Sequence, residues 1–141
     1  MNMKTYKVWD ALLNNSNEWI HIMNICDITD LTTKQVVRIL SGFRTPYLKK
    51  EHRSDGTYAC ISATPAELKE LRKDIVREFH GIDPEFIDRI YEVLSPIGWI
   101  SITDIAYDTG LKPLKISAAL STMDNILQSM IGNTHVYARA R

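Results

Sequence analysis

Two cysteines in 141 residues, Cys26 and Cys60, with no CxxC pair, can build neither a disulfide framework nor a zinc cage. Six Gly and five Pro leave no low-complexity segment. Net charge is absent too: 17 Lys+Arg meet 17 Asp+Glu. That balance argues against wholesale coating of nucleic acid but leaves room for a local basic patch. No uncharged apolar run is long enough to span a membrane, and the start Met1-Asn2-Met3-Lys4 has no apolar signal core. The expected setting is a reducing cytoplasm. No nucleophile elbow, phosphate-cradling glycine loop or paired-carboxylate motif is present; the expectation is a protein that is not an enzyme and carries no cofactor or metal. What is there is a 45% apolar fraction, enough for a core in one ordinary domain or two very small ones.

A repeat organises the chain. Shifted by 80 residues, positions 18–43 align with 98–123 without a gap, and eight of the 26 pairs are identical. These are Trp19/Trp99, Ile20/Ile100, Ile22/Ile102, Ile25/Ile105, Thr29/Thr109, Leu31/Leu111, Leu40/Leu120 and Ser41/Ser121. Most fall where a buried face needs apolar side chains. Further on, Tyr58-Ala59-Cys60 meets Tyr137-Ala138-Arg139 at an offset of 79, which implies one residue deleted in the second copy.

Each copy predicts the same series of elements. A first helix spans residues 6–13 and 85–94, from apolar residues at helical spacing. A short extended run, Trp19-Ile20-His21-Ile22 or Trp99-Ile100-Ser101-Ile102, leads into a second helix near 23–28 and 103–107. A tight turn follows, with Asp30 and Gly110 at the one position where left-handed backbone is tolerated. The third helix starts at Thr33, capped by Thr32, and at Pro113. A hairpin closes each copy: 47–50 returning as 57–61, and 126–130 returning as 135–138. Between the copies, Thr64-Pro65-Ala66-Glu67 is a strong helix start. That helix runs to about Phe79, with Leu68, Leu71, Ile75 and Phe79 on one face.

Helix, short strand, helix, tight turn, helix, two-stranded wing is the order of a winged helix-turn-helix domain. The segment Gly98-Trp99-Ile100-Ser101-Ile102-Thr103-Asp104-Ile105-Ala106-Tyr107-Asp108-Thr109-Gly110-Leu111 resembles the strand-to-turn region of many prokaryotic winged-helix transcription regulators. The resemblance implies an α+β, mainly helical chain of two tandem winged units: 1–62, a linker helix 63–82, and 83–141. It implies sequence-specific binding of double-stranded DNA as the commonest use, with protein–protein docking as a second.

The residues of copy one carry chemistry suited to DNA. Val36, Ile39, Leu40 and Phe43 form the helix's core stripe, which turns Thr33, Lys34, Gln35, Val37, Arg38 and Ser41 outward. Arg pairs bidentately with guanine and Gln with adenine, so Gln35 and Arg38 are the expected base readers. Lys34, Arg44, Lys49, Lys50 and Arg53 are the expected phosphate contacts, with His52 beside them. From 34 to 53 there are six basic residues and one acidic, Glu51, whereas 63–95 holds five basic and eight acidic. Copy two lacks this chemistry. Leu114 and Ala118 replace Lys34 and Arg38, its wing has no Lys or Arg before Arg139, and a docked protein is the favoured partner there. Leu68, Leu71 and Ile75 either pack on their own domains or pair with a second chain, giving a homodimer. The competing reading of the whole is a tandem winged-helix scaffold that touches protein, not DNA.

Other residues are assigned bland roles. His21, His52, His80 and His135 show no ligand spacing and read as surface or loop histidines. Trp19 and Trp99 are expected to plug the core, with Trp9 over the same core. Cys26, aligned with Ala106, reads as small and buried. Cys60, aligned with Arg139, reads as an exposed thiol.

Overall fold

The helix starts that the sequence places after Thr32 and Thr64 are where helices begin, whereas the first helix begins at Met3, capped by Asn2, three residues before its apolar spacing put it. In the computed structural model, which describes residues 1–140, Thr32 Oγ1 accepts from Gln35 N and Gln35 Oε1 accepts from Thr32 N, a reciprocal capping box. Thr64 and Glu67 close a second one. Asp83 caps the helix that opens with Pro84. At the other ends, Asp30 (φ 57°) and Gly110 (φ 71°) both adopt the left-handed backbone that stops a helix.

Among the described residues the chain is α+β, with seven helices and two three-stranded antiparallel sheets. It divides into two compact units, Met1–Ile75 and the residues from Val76 onward. The first holds α1 (Met3–Asn14), β1 (Ile20–His21), α2 (Ile22–Thr29), α3 (Thr33–Ser41), β2 (Leu48–Arg53) and β3 (Gly56–Ile61). The second repeats the order with α5 (Pro84–Val93), β4 (Ile100–Ser101), α6 (Ile102–Thr109), α7 (Pro113–Thr122), β5 (Ile126–Ile131) and β6 (Thr134–Arg139). The unit boundary falls inside α4 (Pro65–His80), after Ile75. Sheet orders are β1-β3-β2 and β4-β6-β5, so in each unit the last strand in sequence is central and the first hairpin strand is an edge.

The repeat is above all a repeat of burial. Ile25 and Ile105 are fully buried, Leu40 and Leu120 nearly so, and Val36 and Ile116 match them. Each such side chain stabilises its unit by roughly 1.5–3 kcal/mol through loss of apolar contact with water. Thr29 and Thr109 each donate a hydroxyl to the carbonyl four residues earlier, Ile25 or Ile105. Trp9 is buried and stacks on Phe43, centroids 3.8 Å apart.

Three expectations are corrected. Trp19 and Trp99 are not core plugs: they are 41% and 48% exposed. The strand after each is only two residues long, and alternation sends Ile20, not Trp19, inward. Cys60 is buried, not exposed. Pairing of Ile20 with Ala59 and of Ile100 with Tyr137 gives an offset of 78, so Cys60 corresponds to buried Ala138. The deletion is two residues, and it lies before the hairpin, between Ser41 and Leu48 against Ser121 and Ile126. A one-residue error in register exchanges the two faces of a strand. Of the two roles open to Leu68, Leu71 and Ile75, packing on their own unit is the one the structure has: they lie against the first unit's core, where Arg72 also donates to Leu13 O at 2.9 Å. They are not a free surface for a second chain.

Candidate nucleic-acid interface

The capped third helix of the first unit buries Val36 and Leu40 and packs Ile39 against the same core. This amphipathic arrangement leaves Thr33, Lys34, Val37, Arg38 and Ser41 exposed on the other side. Ser41 donates its hydroxyl to Val37 O at 2.9 Å, and Thr33 donates to Met23 Sδ at 3.6 Å, fastening α3 to α2. Only two ion pairs form among the described residues, Arg53–Glu51 and Lys73–Glu70. Lys34, Arg38, Arg44, Lys49 and Lys50 therefore have no carboxylate within 4.0 Å there. Gln35 is different. Its amide oxygen accepts from Thr32 N in the capping box, so reading adenine through oxygen and NH₂ together would compete with that cap.

Alternation along β2 splits the hairpin cations. Leu48, Lys50 and His52 share one face, where Lys50 and His52 join Ile22, Val37, Leu40, Ser41 and Thr57 in lining a cleft beside α3. His52 Nδ1 lies 2.8 Å from Thr57 Oγ1. Lys49, Glu51 and Arg53 point to the opposite face. Arg53 is committed there: it pairs with Glu51 at 3.1 Å and lies over the rings of Tyr58 (4.2 Å) and Trp19 (5.7 Å). Sequence proximity grouped Lys49, Lys50 and Arg53 as one phosphate clamp. The pleat separates them, and Arg53 belongs to a structural cluster.

That cluster was missed from the sequence. Tyr58 donates to Asp55 Oδ2 at 2.6 Å, which holds the Asp55 carboxyl below its usual range and raises the Tyr58 phenol. His21 Nδ1 accepts from Met23 N at 3.0 Å, so its proton sits on Nε2, which donates to Asp55 O at 2.8 Å. The histidine thus caps α2 with one nitrogen and ties the hairpin turn with the other. Gly56 (φ +136°) lies against it; a Cβ there would stand 2.5 Å from His21 Nε2. No spacing signal links positions 21 and 55; only the antiparallel pairing of His21 with Tyr58 brings them together.

The second unit has no equivalent. Leu114 is 82% exposed, while Ala118 packs partly against its own core, so Ala118 drops out of the expected contact surface. Among the described residues no three His, Cys, Asp or Glu side chains are arranged to hold a metal. Among the same residues no helix is long and apolar enough to cross a membrane. No family model matches the chain, and no curated protein resembles it significantly.

Proposed function

We propose that each unit is a winged helix-turn-helix module and that the protein is a non-catalytic, DNA-binding transcription regulator. In this reading the first unit contacts duplex DNA: α3 lies in the major groove, Arg38 and Lys34 reach base edges, and Lys50, with Arg44, meets phosphates. The observation that carries the reading is the open side of α3. Lys34 and Arg38 stand there without a carboxylate partner, next to a cleft edged by Lys50 and His52. A cationic side chain left unpaired on a helix that fits a groove is available for counterion release. The second unit has Leu114 and Ala118 where the first has Lys34 and Arg38, and keeps only Lys112 and Lys115 at the start of α7, which favours a protein contact for that half. A protein-binding scaffold without DNA affinity is the competing reading.

Affinity for a pool of random duplexes, measured against salt, decides between them. A DNA binder loses affinity with a log–log slope of about −0.9 per neutralised phosphate. Lys50→Ala flattens that slope by about one phosphate, whereas Arg53→Ala leaves it unchanged because Arg53 is occupied by Glu51, Tyr58 and Trp19. No measurable affinity at low salt would overturn the proposal in favour of the scaffold.

A further inference from the structure

The two sheets form a comparison within one chain. They share strand order, and residues 49, 51 and 53 of the outer β2 face correspond to 127, 129 and 131 of β5. In the first sheet those places are Lys49, Glu51 and Arg53, charges that natural edge strands use to prevent unwanted pairing. In the second they are Leu127, Ser129 and Ile131. No Asp, Glu, Lys or Arg stands anywhere between Asp124 and Arg139. Every residue of β5 after Ile126 is exposed, with Leu127 at 48%, Met130 at 53% and Ile131 at 62%. β6 pairs with only one side of β5, so alternate N–H and C=O groups along its other side lack strand partners.

We propose that β5 pairs antiparallel with β5 of a second copy of this chain, about a two-fold axis at Ser129. Electrostatics selects the occupant. Two neutral edges meet without repulsion and without stripping water from a charge, whereas a charged partner gains nothing along this strand. The side chains select the register. A two-fold normal to the sheet requires each residue to face one of the same face in the copy. Centred on Ser129, it sets Leu127 against Ile131 of the second copy on both sides of the axis, Gln128 against Met130, and Ser129 against itself. Centred on Gln128, it would set Leu127 against Ser129 and leave Ile131 unpaired.

The test uses the full chain and its mass in solution by light scattering. The wild type is expected at twice the monomer mass. Ser129→Lys and Ser129→Glu each bring like charges face to face and are expected as monomers; mixed in equal amounts they return a dimer. Ser129→Cys gives an independent check. Cys26 and Cys60 are buried, so mild oxidation is expected to link Ser129→Cys chains through position 129 and to leave Gln128→Cys chains unlinked. A monomeric wild type, Ser129→Lys chains that stay dimeric, a mixture that stays monomeric, or no link through position 129 would each overturn the proposal.

Discussion

Replacing Gly56 by Ala tests whether the hairpin is locked to the body of the first unit through His21. Two costs add. At φ +136° an L side chain occupies a region nearly reserved for glycine, about 1–3 kcal/mol. The new Cβ would also stand 2.5 Å from His21 Nε2, and that ring is not free to swing away. It is held by a bond to Asp55 O at 2.8 Å and one from Met23 N at 3.0 Å. Displacing it forfeits one or both, each about 0.5–1.5 kcal/mol. The expected loss is therefore about 1.5–6 kcal/mol in a denaturant titration followed by tryptophan fluorescence. The double-mutant cycle separates the two costs. In a His21→Ala background the clash is gone, and Gly56→Ala is expected to cost only its conformational share of about 1–3 kcal/mol. A variant within about 0.5 kcal/mol of wild type, the error of ordinary surface changes, would refute the geometry of the turn. An unchanged cost without His21 would refute the role of the clash.

Other outcomes follow from the same structure. Ile25→Ala and Ile105→Ala, at equivalent fully buried positions, are each expected to cost about 2–5 kcal/mol by denaturation. Arg38→Ala is expected to weaken binding to a preferred duplex by roughly 1–3 kcal/mol and to relax base choice at one position; equal loss on all sequences would make Arg38 a phosphate contact only. Glu67 is held below its ordinary carboxyl range, chiefly by the Thr64 backbone and hydroxyl and then by Tyr47. Since the folded value lies below the unfolded one, its contribution is full above the ordinary range and is lost as pH falls through the folded value. Thr64→Ala keeps the backbone donor and removes only the hydroxyl, so it is expected to return the Glu67 titration, read by carboxyl NMR shifts, part of the way to ordinary. Burial pushes the Cys60 thiol up and Cys26 is also buried, so a thiol reagent is expected to label neither cysteine until the protein unfolds.

Sequence alone determined what depends on nearest neighbours and on apolar periodicity. Helix starts at Thr32 and Thr64, stops at Asp30 and Gly110, and the buried stripe of α3 were all legible. Each is set by side chains within one turn of the backbone they serve, or by a spacing of three and four. The doubling of the chain was legible for the same reason, because the core positions repeat. Tertiary structure decided everything that hangs on strand pairing. The offset of 78 moved Cys60 inward, and the pleat put Lys49 and Lys50 on opposite faces. Arg53 was drawn from a supposed phosphate clamp onto Trp19 and Tyr58, and His21 was joined to a turn 34 residues away. A strand exchanges its faces with a shift of one residue, and nothing local records which register wins. That choice belongs to the packing of distant segments, and so does the identity of the side chains that finally share a surface.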